Sequence, residues 1–297
     1  SWSAVARALV SSDFAGHPSV MSEAKIPLAG VIGAPIAHSK SPKLHQHWLR
    51  RYGIKGHYIP MHIASGDLED AIATLPKLGF VGVNVTIPHK EHILSIADLV
   101  SDRAAVMGSA NTLIFRADGK VHADNTDGYG FMQNLRQGAP DWDPKAGPAA
   151  VMGAGGAARA VISSLIDAGC SEIRLSNRTK SRAEGRRQEL GTKGEVVDWV
   201  QAGNMLDGAI TVVNASSLGM TGASEMRVPL DALHRSAVVT DLVYTPLETP
   251  LLAHAKSIGC QTVDGLGMLL HQAVPGFERW FGLRPDVDDD LREVVLR

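Results

Sequence analysis

Cysteine is nearly absent from this chain of 297 residues: Cys170 and Cys260 are the two present, ninety positions apart. They form no C-x-x-C pair, which excludes a disulfide framework and a paired-cysteine zinc site, and fits a reducing cytoplasm. Aromatic residues make up only 5%, against 30 glycines, a balance that suits an α/β enzyme better than an aromatic-cored β-sandwich. Excess charge is lacking too, with Lys+Arg 29 against Asp+Glu 31 and a net charge of −2. No global basic field exists to hold a nucleic acid or an anionic membrane surface. No apolar run approaches the roughly 18 residues of a spanning helix, so no membrane helix is expected. What remains is 44% hydrophobic content, enough for substantial cores. At about 150 residues per domain, the length argues for two.

Residues 1–24 stand apart. They are rich in Ser and Ala, and the apolar stretch at 4–10 is short and interrupted by Arg7. That is too little for a secretory signal. We expect this segment to be a leader or added extension outside the fold. From Pro27 onward strand-like and helix-like segments alternate. A buried strand at 28–33 precedes a helix with Ser41 as N-cap and Pro42 at its first position. Leu44, Trp48, Leu49 and Tyr52 give that helix an apolar stripe. A strand at 57–63, a helix at 67–78, a strand at 80–87 and a helix at 90–100 follow. A hairpin pairs 112–116 with 120–123, and a helix spans 128–137. Pro140, Pro144, Gly147 and Pro148 mark a linker. Strands at 149–152, 172–176, 210–214, 238–244 and 261–263 then alternate with helices from 156, from 179 and near 249–258. This pattern predicts parallel sheets covered by helices. Residues 266–297 read as a pair of helices without a sheet of their own, expected to pack back across the domain junction.

The sharpest local signal is Gly153-Ala154-Gly155-Gly156-Ala157-Ala158, between an apolar strand and an apolar helix. It matches G-x-G-x-x-[GA] in the strand–turn–helix context that dinucleotide binding requires. The first Gly makes the tight turn and the second admits a pyrophosphate to the backbone. The small Ala158 seats helix on strand, and the helix N-terminus offers unpaired N–H groups to phosphate. At the end of the next strand an NAD site usually carries an acid for the ribose 2′-hydroxyl. Here residues 176–182 carry no acid and supply Arg178, Lys180 and Arg182. Cations at a helix start oppose its dipole, so their presence points to a 2′-phosphate and to NADP.

Three further segments do not look like packing. One is His38-Ser39-Lys40-Ser41-Pro42 at a strand-to-helix turn. Another is Asn84-Val85-Thr86-Ile87-Pro88-His89-Lys90, where alternation puts Asn84 and Thr86 on one displayed face, with Val83, Val85 and Ile87 opposite. In the third, Ala110-Asn111-Thr112 is followed by Asn125-Thr126-Asp127-Gly128. Asp127 has an ordinary reading as a helix cap.

Taken in order, these motifs resemble the shikimate dehydrogenase family from about Pro27 to Gly282. They are S-x-S at 39 and 41, N-V-T-x-P-x-K at 84–90, A-N-T at 110–112, N-T-D-G at 125–128 and G-A-G-G-A at 153–157. N-R-T at 177–179, Asp264-Gly265 and Gln272 complete the series. The resemblance implies that Ser39 and Ser41 hold the carboxylate of shikimate, assisted by Tyr244. It implies that Asn84, Thr86, Asn111 and Gln272 bind the ring hydroxyls, and that Lys90 and Asp127 form the catalytic pair. Gly153, Ala154, Gly155, Gly156 and Ala157 would hold the pyrophosphate. Asn177, Arg178, Thr179 and Arg182 would hold the adenosine 2′-phosphate, with Leu242 and Gly265 bordering the nicotinamide.

The implied fold is two-domain α/β. Residues 25–126 form an α/β substrate-binding domain, 127–265 a Rossmann-type doubly wound NADP-binding domain, and helices 266–297 pack back on the first. The implied activity is reversible NADPH-dependent reduction of 3-dehydroshikimate to shikimate, in chorismate and aromatic amino-acid biosynthesis, by a monomer or homodimer needing no metal. Hydride transfer to a ketone develops negative charge on oxygen, and a Lys ammonium beside a carboxylate can stabilise and protonate it. An NAD-preferring quinate/shikimate dehydrogenase is disfavoured by the Ser39/Ser41 pair and by Arg178. A non-catalytic NADP sensor would have no need of Lys90 and Asp127.

Overall fold

The computed structural model describes residues 25–297, and the expectation about 1–24 lies outside the described residues. The chain first runs β1 (Leu28–Gly33), α1 (Ser41–Arg51), β2 (His57–His62), α2 (Leu68–Thr74), β3 (Gly82–Val85), α3 (Ile93–Ile96), β4 (Leu99–Val100), α4 (Asp102–Met107), β5 (Thr112–Phe115) and β6 (Val121–Asp124). Helix α5 (Asp127–Gly138) leads to β7 (Ala149–Met152), α6 (Gly156–Asp167), β8 (Ile173–Ser176), α7 (Lys180–Glu184), α8 (Arg187–Leu190) and β9 (Gly194–Val196). Then come β10 (Thr211–Asn214), β11 (Val238–Asp241), α9 (Pro250–Ser257), β12 (Gln261–Val263), α10 (Leu266–Gln272), α11 (Val274–Phe281) and α12 (Asp289–Leu296).

Two six-stranded sheets result, ordered β2-β1-β3-β5-β6-β4 and β12-β11-β10-β7-β8-β9. The second is wholly parallel. Its central strand shows why: all four residues of β7 are buried, and alternation sends Ala149 and Val151 into one core, Ala150 and Met152 into the other. A strand with no polar face needs helices on both sides. Strand order reverses at β7, so the crevice beyond the ends of β7 and β10 is the position where open α/β sheets bind ligands. The first sheet is mixed, because the β5–β6 hairpin joins β3 antiparallel.

Three helices, not two, follow β12. Helix α10 lies against α5. Trp280 of α11 donates from Nε1 to Leu113 O at 3.1 Å and sits over Gly82, where a Cβ would come within 2.0 Å of that nitrogen. Helix α12 packs on α1, and Trp48 Nε1 donates to Asp286 O at 3.0 Å. The chain end thus returns to the first sheet.

Several sequence expectations change. The helix expected over 90–100 is only the four residues of α3, followed by strand β4 and by α4. Sheet pairing overrides local propensity there: Asp98 accepts from Val121 N at 2.7 Å, and Leu99–Val100 runs parallel to β6. The strand expected over 80–87 ends at Val85, so the alternation stops and Ile87 is 71% exposed instead of facing inward with Val83 and Val85. Strand β9 was not anticipated.

Candidate active site

Three turns bring the polar motifs of the first half together. Between β1 and α1, Ser41 is not the N-cap; Lys40 holds that place without a side-chain bond, and Ser39 Oγ accepts from Ser41 N at 3.3 Å. The capping role assigned to Ser41 therefore falls partly to Ser39, and the Ser41 hydroxyl is left for the cleft. Past β3, backbone bonding of Ala110 N to Lys90 O at 2.8 Å fixes the lysine beside the Asn111 turn. Asp127 opens α5 without capping it. Its carboxylate instead accepts from Lys90 Nζ at 3.2 Å and from Asn111 Nδ2 at 3.1 Å.

These side chains line one cleft of about 490 Å³. Ser39, Ser41, Asn84, Thr86, Lys90, Asn111, Asp127, Tyr244 and Gln272 all reach it. So do Ala157, Leu242 and Gly265 from the second half. The Lys90 and Asp127 side chains are 31% and 22% exposed, open enough to meet a ligand and dry enough for their charges to matter. Asn84 is 6% exposed and bonded to its neighbours, so it is less displayed than strand alternation implied. Burial raises the Tyr244 phenol above its usual range, which keeps it a neutral donor. Gly265 has a direct reason to be glycine: a Cβ would stand 2.4 Å from Leu242 O.

A second hollow of about 240 Å³ opens at the end of β7. Gly153, Ala154, Gly155, Asn177, Arg178, Thr179 and Arg182 line it. Gly153 has φ +115, and a Cβ there would meet Ala215 C at 2.8 Å. Gly155 and Gly156 face open space, with nothing within 4 Å of an added Cβ. No side chain caps α6, so its first N–H groups face that space unpaired. Lys180 is drawn away to Asp198 at 2.7 Å, while Arg178 and Arg182, both exposed, have no ion-pair partner among the described residues. A bare backbone cradle beside two unpaired guanidiniums fits a pyrophosphate and a further phosphate. Ala157, one residue beyond the cradle's glycines, lines the first cleft, so the glycine turn and the start of α6 border both spaces.

Residues 31–113 match the shikimate dehydrogenase substrate binding domain, and 265–294 the shikimate 5'-dehydrogenase C-terminal domain. A shikimate dehydrogenase (NADP(+)) of Cereibacter sphaeroides is 67% identical over 92% of this chain and 98% of its own length. The chain belongs to the shikimate dehydrogenase family. A shikimate 5-dehydrogenase from Thermus thermophilus, solved with NADP(H) and shikimate, superposes with a TM-score of 0.78 at 35% identity over 91% of this chain and 98% of that one. A quinate dehydrogenase from Corynebacterium glutamicum, solved with NAD, gives 0.82 at 32% identity, covering 91% and 99%. Backbone shape is therefore shared across shikimate dehydrogenases and a relative with a different named substrate.

Sequence reasoning missed several residues at these two spaces. Met268 and Ile36 add apolar wall, and Trp199 with Ser216, Ser217 and Leu218 closes the glycine-turn hollow. Tyr58, on β2, bonds Asn84 from behind at 2.7 Å. None carries a local motif. Asp241, at the end of β11, is 1% exposed and accepts from Asn214, Val243 N and Thr249, tying two cofactor-side loops together. Burial pushes its carboxyl up to about 6.

Proposed function

We propose that Lys90 and Asp127 are the catalytic pair of an NADP-dependent shikimate dehydrogenase, which reversibly reduces 3-dehydroshikimate to shikimate in aromatic amino-acid biosynthesis. The observation that carries this reading is the ion pair at 3.2 Å, in a cleft whose wall includes Ala157 at the end of the glycine turn. Residues 25–126 with the C-terminal helices serve the substrate, and 127–265 the cofactor. The enzyme is read as a monomer or a homodimer working in a reducing cytoplasm.

Gly153–Ala157 would hold NADPH, which would supply the hydride that reduces the ketone and leaves negative charge on its oxygen. Lys90 stabilises that charge and gives up a proton to it. Asp127 holds the ammonium in place and, through Asn111, ties it to the hydroxyl-binding side chains. Ser39, Ser41 and Tyr244 present hydroxyl donors to the carboxylate, while Asn84, Thr86, Asn111 and Gln272 address the ring hydroxyls. Arg178, Arg182, Asn177 and Thr179 hold the 2′-phosphate, and Leu242 with Gly265 borders the nicotinamide.

The test is NADPH formation from shikimate and NADP, repeated with quinate or with NAD. Robust turnover with the first pair and weak turnover with the others is expected. Binding of NADP by folded protein without turnover of shikimate refutes the reading.

A further inference from the structure

Tyr58 belongs to no motif and is 1% exposed, yet its hydroxyl donates to Asn84 Oδ1 at 2.7 Å. The Asn84 amide is oriented from its other end. That end lies 3.1 Å from the carbonyl oxygen of Asn111, which can only accept, so it must be the nitrogen. The end facing Tyr58 is therefore oxygen, and Tyr58 must be the donor. Burial raises the phenol well above its usual range, with the Ser41 hydroxyl beside it working the other way, so its proton stays in place.

Of the two Asn84 N–H groups, one is committed to the Asn111 carbonyl. The other has the Thr112 hydroxyl at 3.3 Å, a long bond to a group already donating to Asn111 Oδ1 at 3.0 Å. Asn84 borders the cleft, so this second N–H is the one a ligand oxygen can take over. His45 holds Tyr58 from behind. Its ring is fully buried and stacks on the phenol with centroids 3.9 Å apart and planes within 3°. Neither ring nitrogen has a partner at bonding distance. Burial pulls its pKa down to about 3, the nearby Asn84 amide working the other way, so His45 is a neutral wall.

We propose that Tyr58 is a positioning residue for the substrate: by filling the Asn84 oxygen it fixes the amide so that the N–H now held by the long Thr112 bond is the one offered to a hydroxyl or keto oxygen in the cleft. The inference rests on reading this cleft as the shikimate site.

The experiment is a double-mutant cycle of Tyr58→Phe and Asn84→Ala, read as KM for shikimate, KM for NADP, kcat and thermal midpoint. Tyr58→Phe keeps the ring and its stack, and is expected to raise KM for shikimate roughly tenfold, as for one lost hydrogen bond to a substrate-facing group. KM for NADP should stay at the wild-type value and kcat fall by less than about threefold. In the Asn84→Ala background, Tyr58→Phe should add nothing, because the amide it orients is gone. A normal KM for shikimate in folded Tyr58→Phe overturns the proposal, as does an additive loss in the double variant. Asn84→Asp is the second arm: it leaves Tyr58 untouched and replaces the presented N–H by oxygen. It must raise KM for shikimate at least as far, and a normal value overturns the assignment however Tyr58→Phe behaves. A wild-type enzyme that turns over no shikimate ends the functional reading itself. Normal turnover with indifferent variants ends only this inference.

Discussion

The two halves of the cleft are built on opposite principles. On the substrate side, polar groups are buried and satisfied by one another: Asn111 alone bonds Thr126, Asp127 and Gln272, and Asn84 bonds Tyr58 and Asn111. On the cofactor side they are left open, with two glycines facing empty space, an uncapped helix start and two exposed arginines. A small rigid ring with several hydroxyls is best read by donors already locked in place, because little ordering cost remains when it binds. A long charged dinucleotide would be held, on the proposed reading, by backbone N–H groups and by guanidiniums at a solvent-facing rim. Losses on the first side should therefore be large and insensitive to salt, and losses on the second smaller and screened.

The largest effect tests the substrate side. Lys90→Ala should lower kcat by ~10²–10⁴-fold with little change in KM, because its charge acts mainly on the developing alkoxide. Asp127→Ala should behave similarly but also weaken shikimate binding, since Asp127 Oδ1 holds Asn111. Steady-state kinetics decide it. Near-wild-type kcat in Lys90→Ala removes the assigned role.

Next comes the open side. Arg178→Ala should raise KM for NADP by roughly tenfold to a hundredfold, the worth of about one charged hydrogen bond, and leave NAD almost unchanged. Arg178→Ala/Arg182→Ala should go further, and both effects should shrink between low and high salt. An equal loss for the two cofactors would show that the arginines support the fold or the shared adenosine, and the contrast between the halves would collapse.

The smallest effect concerns buried ionisable groups, whose signs differ between the halves. His45 is pulled down to about 3, and His271 to about 4 by burial and then by Arg284 and Arg292. Their contribution to stability is present above the ordinary histidine value of 6.5 and is lost as pH falls through those folded values. Asp241, raised to about 6 by burial, works the other way: its contribution is present below 3.8 and lost as pH rises through 6. Between pH 6 and 4 the unfolded chain holds nearly two histidine protons that the folded chain lacks, while the folded chain holds most of one on Asp241 that the unfolded chain lacks. Stability should then fall by about 1.4 kcal/mol per pH unit on acidification, the value for one net proton. Urea unfolding at several pH values measures this slope. His45→Phe, which keeps an aromatic face against Tyr58, should nearly flatten it. A slope that does not respond to His45→Phe contradicts the burial argument.

Much of this was legible in the chain because it is local. The strand–glycine–helix pattern at 149–158 needs only nearest neighbours to specify its turn, and Gly153 shows why, since φ +115 suits no other residue well. Parallel strands buried on both faces announce themselves as short apolar runs, as β7 and β10 do. The polar motifs at 39–41, 84–90, 110–112 and 125–128 were readable as chemistry because packing had no use for them. Where local preference met a distant partner it was outvoted. The helix expected at 90–100 became an edge strand once Asp98 found the backbone of Val121. Ser41, a good cap by type, yielded the cap site to its neighbour.

By itself, then, the sequence determined the alternation of strands and helices, the glycine cradle, the absence of an acid beside it that points to NADP, and which polar motifs packing does not explain. Each of these follows from residue type and spacing within a few positions. Only the tertiary structure decided that Lys90 meets Asp127, that Asn84 is turned by Tyr58, and that the last helices return to the first sheet. Those contacts join residues 26 to 167 positions apart. Nothing in the spacing of a chain encodes such a pair until the sheets have brought the two ends to one place.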